Sequence, residues 1–277
     1  MPLLHAIVLG IVQGLTEFLP VSSSAHLIIV PWLLGWDDGG LTFDVALHVG
    51  TLISVVLYFF RDWIQIIGQG LGLKIGADSA LSQNRNLLWL LVVATIPGGL
   101  IGYLFEKQAE TTFRSPYVIA TTAIGIGLAM WLAERVGRKQ KDLGHVSAMD
   151  AAVIGTSQAL AIIPGVSRSG VTISTGLFRN LDRQSAARFS FLLLTPITGG
   201  AALKKFWDLH KHEGGISPEM HTAFVVGIVV SAIVGALSIQ FFLNYLRNRS
   251  LNLFICYRIL FGIIVVALAT FFRFSGR

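Results

Sequence analysis

The sequence predicts an all-α polytopic membrane protein, with six transmembrane helices and two re-entrant helix–loop–helix pairs in an inverted-topology repeat. Of its 277 residues, 53% are hydrophobic and only 13% are charged, about half the charged share of a soluble domain. Several apolar runs have roughly the length needed to cross a bilayer. In addition, two stretches of the chain match each other, which indicates an internal repeat.

The matching stretches are LGIVQGLTEFLPVSSSAHL at residues 9–27 and IGTSQALAIIPGVSRSGVT at residues 154–172. When the second is moved back by about 145 positions, its polar residues coincide with those of the first: Gln13 with Gln158, Ser22 with Ser167, and Ser24 with Ser169. Ser23 takes the position of Arg168. Apolar matches arise by chance because few residue types are in use, whereas polar identities at a fixed offset are harder to obtain by chance.

Each repeat is predicted to begin with a broken apolar segment. The first lies in residues 3–34, interrupted by Pro20 and the serines after it, and the second lies in residues 149–178, interrupted at residues 164–169. Short apolar halves around a polar break are typical of re-entrant pairs. Six spans are predicted over residues 43–60, 87–105, 117–132, 185–202, 221–245 and 251–272. A charged connector at 134–147 divides one membrane domain into repeats at 1–133 and 148–277.

The predicted repeats should be inverted, because a re-entrant pair returns to its own side and three spans is an odd number. The loops on one side carry more Lys and Arg, which assigns that side to the cytoplasm. Both termini then face outward, and the two re-entrant loops meet near the middle of the bilayer. The N-terminal residues lack a basic region and a cleavage site, so we expect no cleaved signal peptide.

The two loops would bring ionisable side chains together at membrane depth, where they are costly and indicate function. Arg168 offers planar, bidentate donors that suit a phosphate. Gly170 is expected to open a helix whose N-terminus favours an anion. Further donors come from hydroxyl groups and from a glycine that lets backbone N–H groups approach a ligand: Ser22, Ser23, Ser167, Ser169, Thr172 and Gly165. The sequence therefore predicts a phosphate site.

Glu17 adds a carboxylate to this site and would repel an anion unless a divalent cation lay between them. Mg²⁺ is bound in this way by carboxylates and phosphate oxygens. A serine beside His26 and Glu17 can also be an activated nucleophile, which completes the ingredients of phosphoryl transfer. The structural alternative is an ion pair between Glu17 and Arg168 that locks the two halves together.

Two motifs resemble those of the bacterial undecaprenyl-diphosphate phosphatases. The segment QGLTEFLPVSSSAH resembles their (E/Q)xxxE motif with the serine–histidine segment that follows, and PGVSRSGVT resembles their PGxSRSxxT motif. The resemblance covers essentially the whole chain. It implies a metal-dependent enzyme of the bacterial plasma membrane, associated with bacitracin resistance. Such an enzyme hydrolyses the C55 isoprenoid diphosphate to the monophosphate carrier lipid of cell-wall synthesis.

The resemblance also implies residue roles and partners. Catalysis would depend on Glu17, Ser23, His26 and Arg168, with either Ser23 or water attacking phosphorus. The substrate-binding residues would be Gln13, Ser22, Gly165, Ser167, Ser169 and Thr172. Glu17 would bind Mg²⁺ or Ca²⁺, and Gln13, at the variable first position of its motif, supplies no second carboxylate. The expected partners are a polyprenyl diphosphate, reached from the outer side, and membrane lipids, with no nucleic acid. Association as a homodimer is left open.

Four other polar residues have open roles in the sequence. Asp44 and His48 lie four positions apart and share a helix face, where they would line the cavity or form a structural hydrogen bond. Arg258, inside the last span, would snorkel or pair with a helix end. Asp150 lies at a helix start, where a capping role is expected.

Two rival functions belong to other classes. A lipid transporter or flippase fits the predicted inverted repeat with broken helices. An acid-phosphatase-like lipid phosphatase would need a histidine downstream of its Ser-Arg motif, and the segment SGVTISTGLFRN after Arg168 has none. The sequence therefore favours the undecaprenyl-diphosphate phosphatases over the acid-phosphatase-like enzymes and leaves the transporter as the alternative.

Overall fold

The computed structural model describes residues 1–37, 39–105, 108, 112–211 and 217–274. Twelve helices in these ranges are named here in chain order: α1 Leu3–Phe18, α2 Ser23–Leu34, α3 Gly40–Tyr58, α4 Phe60–Gly70, α5 Ser79–Gln83, α6 Leu87–Leu104, α7 Pro116–Val136, α8 Ala148–Gln158, α9 Arg168–Phe178, α10 Arg183–Lys211, α11 Pro218–Asn248 and α12 Asn252–Phe274. Short 3₁₀ turns at Thr112–Arg114, Leu143–His145 and Ala159–Ile162 join some of them.

Six of these helices, α3, α6, α7, α10, α11 and α12, are long and apolar enough to cross a membrane. The predicted all-α fold with six spans is thus confirmed, and the chain is a multi-pass membrane protein. The largest difference is in α10, which continues to Lys211, nine residues past the predicted end at 202. The prediction ended where Lys204 and Lys205 interrupt the apolar run, but a helical backbone satisfies its own hydrogen bonds whether or not its side chains are apolar.

The helices α1, α2, α8 and α9 are shorter than the six spans, and the pairs α1–α2 and α8–α9 are broken in the same way. Ser22 and Ser167 are the N-cap residues of α2 and α9, with φ angles of 79° and 68°. Such φ values are uncommon outside glycine and cost free energy. The helix α9 begins at Arg168, not at Gly170 as expected, because the Ser167 hydroxyl accepts the Gly170 N–H at 3.0 Å and caps the first turn.

Each short pair packs on a span from the other half of the chain. The helix α1 lies along α11, and α8 lies along α6. Gly155 of α8 allows the second contact, because a Cβ atom there would lie 2.3 Å from the Ala94 carbonyl oxygen. Small residues permit such close backbone approach between helices in membranes. The insertion of the pairs as re-entrant loops, and the inversion of the repeats, stay predictions.

Polar contacts fix the connector between the halves. Ser147 is the N-cap of α8, and Asp150 completes a capping box with it, so Asp150 serves the cap from the third helical position. Its carboxylate also accepts from Lys141 at 2.9 Å and from Arg179 at 2.7 Å. Burial raises the pKa of Asp150, but these hydrogen bonds outweigh burial and lower the pKa to about 2.

Candidate active site

A cavity of about 290 Å³ lies where the two short helix pairs meet α3, α6 and α10. Its wall is mainly apolar, with a group of polar side chains: Glu17, Ser23, Ser24, His48, Gln158, Ser167, Arg168 and Thr198. Four residues predicted for the site, Glu17, Ser23, Ser167 and Arg168, are therefore brought together. Pockets of this kind, apolar with a few convergent polar groups, are typical of binding and active sites.

Glu17 and Arg168 form the polar centre of this wall. Ser23 Oγ donates to Glu17 Oε2 at 2.5 Å, and Arg168 Nη2 donates to Glu17 Oε1 at 3.2 Å. Arg168 Nη1 donates to the backbone oxygen of Ser190 at 2.7 Å, and Thr172 contacts the Ser190 hydroxyl at 2.7 Å. Arg168 Nε is buried and lacks a hydrogen-bond partner in the described part of the chain. The Glu17–Arg168 ion pair that would lock the two halves together is therefore present. However, it borders a cavity and leaves the Arg168 Nε donor unused.

Gln13 and His48 lie next to Glu17. Gln13 Nε2 donates to Glu17 Oε2 at 3.2 Å and to Thr51 Oγ1 at 3.4 Å. His48 Nδ1 lies 2.7 Å from the Asp44 carbonyl oxygen, and since a carbonyl only accepts, that nitrogen carries the proton. The other ring nitrogen of His48 lies 3.5 Å from Glu17 Oε2. His48 therefore lines the cavity, and its bond to Asp44 uses the Asp44 backbone.

His26 makes its hydrogen bonds with other residues than these. Its Nδ1 is 2.7 Å from the Ser22 carbonyl oxygen, and its Nε2 is 2.7 Å from the Tyr257 hydroxyl. The ring also stacks on Phe261, with centroids 4.5 Å apart. Both ring nitrogens are therefore used in contacts with α2 and α12. No hydrogen bond joins His26 to Ser23 among the described residues, and a catalytic role for His26 stays a prediction.

Several predicted substrate contacts instead join the two loops to each other. Ser22 Oγ accepts from the Gly165 N–H at 3.1 Å. Ser169 Oγ donates to the Leu19 carbonyl at 3.1 Å and lies 3.2 Å from the Ser167 hydroxyl. Short polar side chains bond to nearby backbone groups readily, so a serine-rich loop can satisfy itself. Contact of these residues with a diphosphate stays a prediction.

Arg258 is fully buried and holds both loops. It donates to the carbonyl oxygens of Pro20 at 3.1 Å, Gly165 at 2.6 Å, Val166 at 3.1 Å and Ala123 at 3.2 Å. The carbonyls of Pro20, Gly165 and Val166 lie at the loop breaks, where the guanidinium supplies donors that a continuous helix would have provided. An arginine inside an apolar span was the signal in the sequence, but its contact with both breaks was not visible there.

Gln158, Ser190 and Thr198 were absent from the predicted site. Gln158 had a signal in the sequence, since it matches Gln13 in the repeat. It lines the cavity and is 3% exposed. Ser190 orients Arg168, and Thr198 lies in the cavity wall. Both belong to α10 and carry no sequence pattern that separates them from other hydroxyl residues of a membrane helix.

The predicted metal site can be compared with the donors present. Within the described ranges, no group of three or more His, Cys, Asp or Glu side chains could hold a metal ion. Glu17 offers one carboxylate, and the buried Oε1 of Gln13 has no partner among the described residues. One carboxylate with an amide oxygen fits a hard cation such as Mg²⁺ that takes its other ligands from phosphate and water.

The chain is similar to known proteins over almost its whole length. Residues 6–264 match the family described as "Bacitracin resistance protein BacA". The chain belongs to this family. This chain is also 54% identical over 267 residues to an undecaprenyl-diphosphatase of Moorella thermoacetica. The match covers 96% of this chain and 98% of the relative.

Other members support the same assignment. The undecaprenyl-diphosphatase of Pelotomaculum thermopropionicum is 49% identical over 276 residues, which cover 99% of this chain and all of the relative. That of Thermodesulfovibrio yellowstonii is 44% identical over 277 residues, which cover 98% of each chain. The family inferred from the two motifs is confirmed.

Proposed function

We propose that this BacA family member is an undecaprenyl-diphosphatase, which hydrolyses undecaprenyl diphosphate to undecaprenyl phosphate and inorganic phosphate. The observation that carries the proposal is the 2.5 Å contact between Ser23 Oγ and Glu17 Oε2, next to Arg168, inside a cavity among membrane helices. A hydroxyl bound to a carboxylate beside an arginine suits phosphoryl transfer. The names of the relatives support the same activity.

In the proposed reaction, Ser23 Oγ attacks the terminal phosphorus and Glu17 accepts its proton. The bond from phosphorus to the bridging oxygen breaks, and undecaprenyl phosphate leaves with the proton from Glu17. Water then attacks the phosphoserine, Glu17 accepts a proton from it, and Ser23 regains a proton as phosphate leaves. Arg168 would stabilise the charge on the phosphoryl oxygens. Glu17, and not His26, is the proposed proton acceptor, because both nitrogens of His26 have other partners.

A divalent cation is part of the proposal. Mg²⁺ or Ca²⁺ would be held by Glu17 and Gln13 together with phosphate oxygens, and its charge would offset the repulsion between Glu17 and the diphosphate. Gln13 already touches Glu17, at 3.2 Å, and keeps its own oxygen without a partner in the described structure. Removal of the cation with a chelator should therefore abolish phosphate release.

The enzyme would act in the bacterial plasma membrane, with its active site open to the outer side. A second cavity of about 470 Å³ shares Gly98, Ile197 and Ala201 with the first and extends to Lys204 and Lys205. The positive-inside argument assigns both lysines to the outer side, so the shared wall supports access from there. Carrier-lipid recycling on that side accounts for the association with bacitracin resistance. The transporter alternative is not favoured, because it requires no Ser23–Glu17 pair; association as a homodimer stays a prediction.

Phosphate release from C55 diphosphate by purified protein, with and without Mg²⁺, tests the function. Rapid-quench trapping with terminally labelled substrate, followed by peptide mapping, tests the attacking group. We expect label on the peptide that contains Ser23, and no turnover in Ser23→Ala. If water attacked instead, no label would appear and Ser23→Ala would lose only the effect of one donor, about 10²–10³ in kcat. No phosphate release by the wild type would reject the function.

A further inference from the structure

Gln158 is the last residue of α8 and lines the same cavity as Glu17 and Arg168. It is 3% exposed, and neither its Nε2 nor its Oε1 has a hydrogen-bond partner in the described part of the chain. A buried amide that loses its bonds to water is unfavourable, so almost all such groups in proteins are paired. Its position on the cavity wall indicates that the missing partner is a ligand.

The repeat explains why Gln158 lacks a partner. Its counterpart Gln13 donates to Glu17, four residues later on the same helix face, and to Thr51. The position four residues after Gln158 is occupied by Ile162, which is apolar and also lines the cavity. The second half of the chain therefore has the amide, in Gln158, but has Ile162 where the first half has the Glu17 carboxylate that accepts from Gln13.

The neighbouring helix leaves space for this amide. Gly98 of α6 lies against it, and a Cβ atom at Gly98 would be 2.8 Å from Gln158 Nε2. Gly98 lies in the same cavity wall. At the next position, Gly99, a Cβ atom would meet nothing within 4 Å among the described atoms. The missing side chain at Gly98 thus leaves the space that the Gln158 amide occupies.

We propose that Gln158 is a substrate-contacting residue, whose Nε2–H donates a hydrogen bond to an oxygen of the diphosphate that Arg168 holds. The inference rests on the proposed function for the identity of the ligand. It adds a neutral donor from the second half of the chain to the charged donor Arg168. A neutral amide strengthens binding of an anion without adding a charge that must be buried with it.

Binding of a non-hydrolysable ligand separates this inference from the catalytic one. The probe is a farnesyl methylenediphosphonate in detergent with Mg²⁺, measured by calorimetry on wild type, Gln158→Met and Gln158→Glu. Methionine keeps the length and removes both polar atoms, so we expect about tenfold weaker binding. Glutamate puts a negative charge against the diphosphonate and should weaken binding further. The melting temperature of Gln158→Met should stay level or rise, because an unpaired buried amide has been removed.

The glycine pair provides a matched test. Gly98→Ala should displace the amide and weaken binding severalfold, whereas Gly99→Ala should bind like wild type. Wild-type affinity in Gln158→Met would overturn the inference, and so would a fall in its melting temperature that matched its loss of affinity. Tighter binding by Gln158→Glu in Mg²⁺ would show that this side chain serves a cation instead. Phosphate release by wild type is measured separately, so failure of hydrolysis with intact probe binding rejects only the proposed function.

Discussion

Arg168 uses some of its hydrogen-bond donors within the protein and leaves one of them without a partner in the described structure. One terminal nitrogen holds Ser190, the other holds Glu17, and Nε has no partner in the described structure. A planar fork can fill several such positions at once, whereas a lysine ammonium is a single point charge. The fork is the feature of Arg168 that the site uses, and charge alone would not reproduce it.

We therefore expect Arg168→Lys to lower kcat/KM by about a hundredfold or more while the protein stays folded. Steady-state phosphate release and thermal melting in detergent measure the two effects. Arg135→Lys, in which the replaced arginine lies over Trp131 at 5.0 Å, is the control and should behave like wild type. Near-normal turnover in Arg168→Lys would contradict the role of Arg168 in holding the diphosphate.

Asp150 gives stability that depends on pH. Its folded pKa of about 2 lies below the ordinary value of 3.8, so its contribution is full above pH 4 and is lost as pH falls through 2. The shift corresponds to about 2 kcal/mol of unfolding free energy. Asp150→Asn should remove that amount at pH 7, and the difference from wild type should shrink below pH 4.

Thermal melting in detergent at several pH values tests this. Asp208→Asn is the comparison, since Asp208 pairs with Lys204 on a half-exposed helix face, where such pairs contribute about 0.5 kcal/mol or less. A deficit in Asp150→Asn that stayed constant down to pH 2 would show that the carboxylate acts through packing, not through charge.

Arg258 of α12 joins the breaks of both short helix pairs. Its replacement by Met would leave buried carbonyls of Pro20, Gly165 and Val166 without a donor. An unsatisfied buried group costs about 1–3 kcal/mol, so Arg258→Met should lose several kcal/mol and fold poorly. Arg258→Lys should recover part of the stability. Arg61→Met, at an exposed position, is the control; equal melting temperatures for all three variants would refute this role.

The contact between α8 and α6 depends on Gly155. A methyl group there would lie 2.3 Å from the Ala94 carbonyl oxygen, so Gly155→Ala must push the helices apart. We expect lower stability and lower activity, since α8 carries Gln158 into the cavity. Gly125→Ala in α7 is the matched control, because its Cβ atom would meet nothing within 4 Å in the described structure. That variant should gain up to about 1 kcal/mol from helix propensity. Equal effects from both substitutions would contradict the packing argument.

The orientation of the protein in the membrane follows from its basic residues. The side richer in Lys and Arg is assigned to the cytoplasm, which places both termini outside. Two of the counted basic residues, Lys107 and Arg277, and the side chain of Arg273 lie outside the described residues. The orientation therefore depends on the sequence and needs a test in cells.

We expect a cysteine at position 277 to react with an impermeant maleimide in intact cells, and one at Lys139 to react only after permeabilisation. Cys256 is exposed and must first be replaced by Ser. The reverse labelling pattern would invert the molecule and move the proposed entrance near Lys204 to the cytoplasmic side. The helices and the cavity would remain as they are.

Local patterns in the sequence are enough to predict the six spans and the two helix breaks. Apolar length predicts a span because a helix in lipid must satisfy its backbone internally. Pro20 and the serines after it marked the first break, and the repeat marked the second. The same local signals placed Glu17, Ser23 and Arg168 in one site, and the two motifs around them identified the family.

Which polar side chains reach the cavity depends on how helices of the two halves pack together. Sequence spacing fixes the face of one helix, but not its rotation against a partner from the other half of the chain. Thus His26, beside Ser23 in sequence, turns to Tyr257 on α12, while His48 on α3 comes within 3.5 Å of Glu17. Gln158 became a site residue for the same reason, because its cavity forms only where helices of both halves meet.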